Sequence, residues 1–188
     1  MPGTETPLPT FPPASAGAAA GGAQAVDEGQ IPDDCGRVLA PDVVEAVLGL
    51  PLGSVTVRTT MHLPSPAVGR TERMACRYTR AGASSADRLL LVLDVSAYRD
   101  AEAATAQWRL NAGVEDGTGR ELQLGSARAV LVQRPSESAL LVVNALANLT
   151  FVLQNGVSLA NRSPEDTLVD LALRVLPAVP AAAPVTGA

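Results

Sequence analysis

The stretch from Cys35 to Cys76 constrains the fold most, because it holds the only two cysteines of the chain. Residues 75–80, Ala-Cys-Arg-Tyr-Thr-Arg, alternate in a way that predicts a strand with Cys76 on one face of a sheet. Two cysteines in one domain can form a disulfide, remain buried free thiols or belong to a site, and all three remain open at this point. A disulfide, which we favour, would indicate an oxidising compartment.

Metal binding and catalysis find little support in the sequence. His62 is the only histidine, and two cysteines without a Cys-x-x-Cys pair are too few for a metal site. A catalytic Cys76 would need His62 as its base, and a lone histidine in a proline-rich loop is usually solvated. The Gly-rich segment from Gly113 to Arg120 lacks the lysine and the strand-to-helix context of a phosphate-binding loop, and we predict a flexible loop there. We therefore predict a non-enzymatic protein with no metal and no cofactor.

The composition divides the chain of 188 residues into three parts. Residues 1–34 are rich in proline, alanine and glycine and are predicted to be a disordered acidic tail or tether. Residues 177–188 are predicted to be a second disordered tail, which leaves residues 35–176 as a single domain. No apolar run approaches the length that spans a bilayer, and no signal peptide is visible. We expect a trimmed or mature chain, attached to a membrane only through an anchor that is not part of it.

The net charge of −5 comes from the predicted N-terminal tail, which carries five acidic residues and no basic one. The remaining 14 acidic residues match 14 basic residues, all of them arginine. A nearly neutral domain argues against nucleic-acid binding, which needs a strongly positive surface. An unknown envelope ligand or protein partner is the expectation that remains.

Local patterns predict three helices. One starts at Pro41 and ends at Gly49, a second follows the capping residue Asp100 and runs from Ala101 to Leu110, and a third starts after Ser163. Apolar runs predict about six strands, within residues 55–60, 74–79, 88–95, 127–134, 139–144 and 149–154. The order is helix, three strands, helix, three strands, helix. An α+β fold follows, with an antiparallel sheet packed by helices.

Five arginines form the basic cluster of the sequence: Arg70, Arg73, Arg77, Arg80 and Arg88. In a hairpin they could bind phosphate, sulfate or a carboxylate through bidentate contacts. The alternative, which we favour, is a solvated face of the sheet.

Five large apolar residues could line a pocket if the sheet is strongly curved: Leu91, Leu93, Leu131, Val143 and Phe151. The same residues would also suit a filled core, and the sequence does not separate the two.

Several short segments together resemble a known family: Asp34-Cys35-Gly36, Val47-Leu48-Gly49, Cys76-Arg77-Tyr78, the strand 89–95, Gly125-Ser126-Ala127 and the helix 168–176. The chain resembles actinobacterial cell-envelope lipoproteins of unknown function and is similar to extracytoplasmic sensor domains of mycobacterial receptor kinases.

The resemblance implies a secreted α+β domain, tethered by a lipid or a membrane helix, with a disulfide between Cys35 and Cys76. Many relatives carry a second cysteine pair, which this chain lacks. It implies a non-enzymatic ligand-binding or sensor-like domain in the cell envelope. The alternative is a structural or protein-interaction module of the envelope or of a secretion system, without a small-molecule site.

Overall fold

An antiparallel sheet runs through the part of the chain that the computed structural model describes, which is residues 30–82, 88–114, 118–157 and 161–179. Its strands are β1 (Val55–His62), β2 (Arg70–Arg80), β3 (Leu89–Tyr98), β4 (Thr118–Leu124), β5 (Ala127–Gln133), β6 (Glu137–Asn144) and β7 (Ala147–Gln154). The helices are α1 (Cys35–Val38), α2 (Pro41–Leu48), α3 (Ala101–Val114) and α4 (Pro164–Val175), with 3₁₀ turns at Pro66–Val68 and Leu176–Ala178.

The seven strands lie in the order β1-β2-β3-β7-β6-β5-β4, and every neighbouring pair is antiparallel. Two meanders therefore meet where β3 pairs with β7, and α3 connects one to the other. The predicted α+β class, with an antiparallel sheet packed by helices, is confirmed.

The element count differs from the prediction by one strand and one helix within the described residues. The glycines around β4 predicted a loop as far as Arg120, whereas β4 pairs along its whole length with β5 at the edge of the sheet. The missed helix, α1, is a single turn that contains Gly36, a poor helix former. It depends on Asp34, whose carboxylate accepts the Gly36 N–H at 2.9 Å. The middle helix continues to Val114 rather than ending at Leu110.

The helix signals of the sequence are confirmed at three positions. Gly49 ends α2 in the left-handed conformation, with φ of +67°. Asp100 accepts the Ala103 N–H at 2.7 Å at the start of α3, and this contact lowers the Asp100 pKa. Ser163 accepts the Asp166 N–H at 3.0 Å at the start of α4.

The two faces of the sheet carry separate helices because side chains alternate along each strand. On β6, Leu140 and Val142 belong to the core beneath α1, α2 and α4, while Leu141 and Val143 face α3. Trp108 anchors α3 there, and its indole N–H donates to the Leu141 carbonyl at 3.0 Å. Each face of the sheet is thus at least partly covered by helix.

Cys35 and Cys76 form a disulfide with an Sγ–Sγ distance of 2.02 Å, and both residues are fully buried. The pairing implied by the family resemblance is confirmed. The bond joins α1 to β2 and so attaches the first helices to the sheet.

The predicted tails lie mainly outside the described residues, at 1–29 and 180–188. The described residues next to them pack against the domain: Ile31 and Val179 are both buried in the core. The Glu72 carboxylate accepts the backbone N–H groups of Gln30 and Ile31 at 2.8 and 2.9 Å. The packed unit therefore extends beyond residues 35–176 at both ends.

Within the described residues no helix is both long enough and apolar enough to cross a membrane.

Candidate ligand-binding cleft

A cleft of about 380 Å³ lies between α3 and the strands β2, β3, β6 and β7, and we call it the α3 cleft. All of its lining residues except Val114 and Leu141 carry a polar group. The lining comprises Arg70, Arg73, Asp94, Ser96, Tyr98, Gln107, Asn111, Val114, Leu141, Asn148 and Thr150. The volume falls in the range of small-molecule sites, whereas so polar a lining is unusual.

An irregularity in β2 places two of the predicted arginines in the α3 cleft. Residues three apart on a regular strand point to opposite faces. The register of the β2–β3 pair shifts between Arg70 and Glu72, so that Arg70 lies opposite Tyr98 and Arg73 lies opposite Ser96. Since Tyr98 and Ser96 are two residues apart on β3, both arginines lie on the same face.

The pairing of β3 with β7 continues this polar surface across the sheet. Ser96 lies between Arg73 on one side and Asn148 on the other, and Asp94 lies opposite Thr150. The side chains of Gln107 and Asn111 enter from α3 and are joined by a hydrogen bond of 2.8 Å. Polar groups that are distant in sequence thus meet in one place.

Arg73 and Arg70 differ in their partners. The Arg73 Nε and Nη2 atoms donate to Asp94 Oδ1 at 3.2 and 3.0 Å, so this arginine is paired with a carboxylate inside the cleft. The Arg70 Nε atom is buried and has no hydrogen-bond partner, and no described carboxylate forms an ion pair with Arg70. Arg70 therefore brings an uncompensated positive charge to the cleft.

Asn148 is 6% exposed, and only one of the two polar atoms of its side-chain amide has a hydrogen-bond partner. Its Nδ2 donates to the Ala104 carbonyl at 2.9 Å, which ties β7 to α3. Its Oδ1 is buried without a hydrogen-bond partner. A buried acceptor in this state costs free energy unless another group donates to it.

Tyr98 is 2% exposed and brings its hydroxyl to the same cleft. Burial raises its pKa, while the nearby polar side chains of Asn148 and Ser96 and the charges of Arg70 and Arg73 act in the opposite direction. Because the net shift is upward, the hydroxyl stays protonated near neutral pH and can donate a hydrogen bond to a ligand.

The predicted arginine cluster does not form one patch. Arg70 and Arg73 line the α3 cleft, Arg77 is exposed further along β2, and Arg80 and Arg88 lie at the far end of the β2–β3 hairpin. The Arg80 N–H donates to the Arg88 carbonyl at 2.7 Å, so these two are neighbours through their backbones.

The five residues predicted for an apolar pocket do not share a face. Leu91, Leu93, Leu131 and Phe151 are fully or almost fully buried in the core beneath α4, whereas Val143 faces α3. Val143 points to the other face of β6, so the five residues do not line one surface. These four side chains contribute to a filled core.

Sequence reasoning missed the polar residues of β3, β7 and α3. Ser96 and Asn148 are polar residues inside mainly apolar strands. A polar residue at such a position is the signal that could have identified them. His62 is exposed on the edge strand β1 and lies opposite Arg73 in the register, but it is not one of the residues that line the cleft. No group of three or more metal-ligating side chains occurs among the described residues.

No protein-family model matches the chain, and no curated protein matches it. Among solved structures it is similar to a GTP-binding regulator from Thermotoga maritima, with 12% identity, a TM-score of 0.40, and coverage of 74% of this chain and 88% of that one. It is also similar to the extracellular domain of PknH from Mycobacterium tuberculosis, with 13% identity, a TM-score of 0.43, and coverage of 80% and 98%. Kinship with the actinobacterial envelope lipoproteins stays a prediction.

Proposed function

We propose that this protein is a non-enzymatic, sensor-like ligand-binding domain that works outside the cytoplasm, and that its ligand binds in the α3 cleft. The observation that carries the proposal is a pair of buried polar atoms without partners, Arg70 Nε and Asn148 Oδ1, in two residues that line one cleft. Folded proteins satisfy nearly all such atoms.

The energetic argument concerns the unliganded domain. Each unsatisfied buried polar atom costs about 1–3 kcal/mol, and more where the group is charged. A ligand that supplies the missing partners removes this cost, so it binds the folded state preferentially and stabilises it. We expect some rearrangement of the Arg70 and Asn148 side chains on binding, because the Nε atom of Arg70 and the Oδ1 atom of Asn148 are both covered.

The lining indicates the nature of the ligand. A lipid or another apolar ligand would place hydrocarbon against arginine, aspartate and amide groups, which carries a large desolvation cost. A small polar ligand exchanges its own hydration for these groups. The presence of only Val114 and Leu141 as apolar lining residues therefore supports a small polar molecule.

The disulfide supports the compartment. Structural disulfides persist in oxidising surroundings and are rare in the cytosol. The bond between Cys35 and Cys76 is buried within the core, which suits a permanent structural bond. The narrower assignment to the cell envelope follows from the family resemblance.

The chemistry of the cleft supports binding over catalysis. Its lining includes neither cysteine nor histidine, and the carboxylate of Asp94, two residues from Ser96 on β3, is already paired with Arg73. The pKa of Tyr98 is raised, which leaves its hydroxyl a poor nucleophile at neutral pH.

The proposal is tested by blocking the cleft from α3. Gln107 lines the cleft, so Gln107→Trp should fill it. Leu110→Trp is the matched control, since Leu110 lies on the same helix and is 63% exposed. Saturation-transfer NMR with a pool of small polar metabolites should detect binding to wild type and to the control, and at least tenfold weaker binding to Gln107→Trp. Binding that is equal in all three proteins would contradict the cleft as the site.

A second candidate is the interaction module. It is favoured by the edge strand β1, whose outer side is unpaired among the described residues, and by exposed apolar residues around it: Leu52 and Leu63 are 82% and 86% exposed. Sedimentation velocity tests this alternative. It would be favoured if the wild-type chain associates in a concentration-dependent way, if Leu63→Glu abolishes the association, and if wild type binds no small molecule.

A further inference from the structure

We infer that the ligand of the α3 cleft is a small carboxylic acid with a hydrogen-bond donor beside its carboxylate, such as a 2-hydroxy or 2-amino acid. Arg70 binds the carboxylate, and Asn148 Oδ1 accepts from the neighbouring hydroxyl or ammonium group. This inference rests on the proposed function and specifies the chemistry of the same site.

The charges of the lining select an anion with a single charge. Three lining residues carry a charged side chain: Arg70, Arg73 and Asp94. Arg73 and Asp94 neutralise each other through their contacts of 3.0 and 3.2 Å, which leaves the charge of Arg70. A guanidinium matches a carboxylate in shape and can bind it through two parallel hydrogen bonds. A ligand with several negative charges would meet the Asp94 carboxylate without a further free cation.

The orientation of Asn148 determines what the ligand must offer there. Exchanging the amide oxygen and nitrogen would bring the oxygen against the Ala104 carbonyl, which can only accept. The Nδ2 atom therefore faces Ala104 and Oδ1 faces away from it. Because Oδ1 only accepts, the ligand group next to it must be a donor.

The pairing of the strands gives the approximate distance that the ligand and the Arg70 side chain must bridge together. Arg70 lies on β2 and Asn148 on β7, with β3 between them and an offset of two residues along the strands, so their backbones are about 12 Å apart. The long Arg70 side chain covers much of this distance, and Tyr98 on the intervening strand brings its hydroxyl to the cleft as a further donor. A compact acid of a few carbon atoms can therefore contact all three residues.

The experiment uses ligand-observed NMR on the folded chain with two pools. The acid pool contains glycolate, L-lactate, D-glycerate, L-alanine and L-serine, and propionate is added separately as an acid without the donor. The neutral pool contains glycolamide, lactamide, glycerol and D-glucose. The variants are Arg70→Met, which removes the charge and keeps the length of the stem, and Arg77→Met, which removes an exposed arginine of the same strand.

We expect at least one member of the acid pool to bind wild type and Arg77→Met equally. The same acid should bind Arg70→Met at least tenfold more weakly, and propionate should bind wild type at least fivefold more weakly. Circular dichroism and thermal unfolding of Arg70→Met must match wild type for this loss to count, and Arg70→Gln repeats the test if they do not.

The two proposals fail differently. Binding of a neutral compound in the α3 cleft, with no preference for acids and no effect of Arg70→Met, overturns the present inference and leaves the proposed function standing. Absence of binding from both pools overturns both. Acid binding that Arg77→Met weakens as much as Arg70→Met does assigns the anion to the exposed face and also overturns the inference.

Discussion

The Tyr78 hydroxyl donates a hydrogen bond of 2.7 Å to the backbone carbonyl of Leu39, and both residues are buried. Leu39 lies between α1 and α2, and Tyr78 follows Cys76 by two residues on β2. The same face of β2 thus holds the first helices covalently at Cys76 and through a buried hydrogen bond at Tyr78.

Replacing Tyr78 with phenylalanine should lower the free energy of unfolding by about 1–3 kcal/mol, because the Leu39 carbonyl is left buried without its donor. The ring and its packing are kept, so the fold should persist. Urea denaturation followed by Trp108 fluorescence measures the change. An unchanged denaturation midpoint would mean that water replaces the hydroxyl.

Stability should fall as the pH rises above about 10. Burial, with a smaller contribution from the Asp34 charge, raises the pKa of Tyr78 well above its ordinary value, and burial also raises that of Tyr98. Below pH 10 both tyrosines are protonated in the folded and unfolded chain. Above it only the unfolded chain ionises, so each tyrosine lowers stability by up to about 1.4 kcal/mol per pH unit until its folded pKa is reached.

The absence of lysine makes this measurement unusually clear, since the basic residues of the chain are all arginine. Arginine remains charged throughout the range, and both cysteines are in the disulfide. Tyr78→Phe should reduce the slope of unfolding free energy against pH between pH 10 and 12, and a double variant with Tyr98→Phe should nearly remove it. A slope that is the same in all three proteins would contradict the assignment.

Reduction of the disulfide should lower stability by roughly 4 kcal/mol in the chain-entropy description of a bond that closes a loop of 41 positions. Denaturant midpoints with and without reductant measure the loss, and a mass increase of two daltons confirms reduction. The variant with both Cys35→Ala and Cys76→Ala is the control, since its midpoint should not respond to reductant.

Glu45 should be required for the start of β1. Glu45 is 2% exposed, and its carboxylate accepts the Gly53 and Val55 N–H groups at 3.0 and 2.7 Å. Glu45→Ala leaves both donors without a partner and should cost about 2–4 kcal/mol. Hydrogen exchange at Val55 should accelerate in this variant and accelerate less in Glu45→Gln, which keeps one acceptor. Equal protection in Glu45→Ala and wild type would count against this role.

Asp94→Asn should strengthen anion binding in the α3 cleft, because it removes the carboxylate that pairs with Arg73 and leaves a second free guanidinium. Isothermal titration with the acid that binds wild type should give an affinity several-fold higher. Thr79→Val, outside the cleft lining, is the control. Weaker binding to Asp94→Asn would mean that Asp94 itself contacts the ligand.

Local features of the chain were predictable where the physical cause is local. Ser163 followed by Pro164 identified the start of α4, and Gly49 identified the end of α2. The alternation around Cys76 identified the face of β2 that is buried. The single-turn helix α1 was missed because its stability comes from a cap and a distant disulfide.

The candidate site was only half visible from the sequence. Arg70 and Arg73 were selected as basic residues, but their regular spacing places them on opposite faces, and only the shifted register of β2 brings them together. Their partners across the sheet, Ser96 and Asn148, are 23 and more residues away in sequence. A local pattern holds no information about which distant strands will pair.

By itself the sequence determined the period of most elements, several helix ends, the α+β class and the two cysteines available for a bond. These features follow from the side-chain periods of the helix and the strand, and from side chains that accept hydrogen bonds from neighbouring backbone N–H groups. Tertiary structure decided which strands are neighbours, the shift between Arg70 and Glu72, and the burial of Asn148 Oδ1 without a partner. Those outcomes depend on long-range pairing, where insertion of one residue moves a side chain from one face of the sheet to the other.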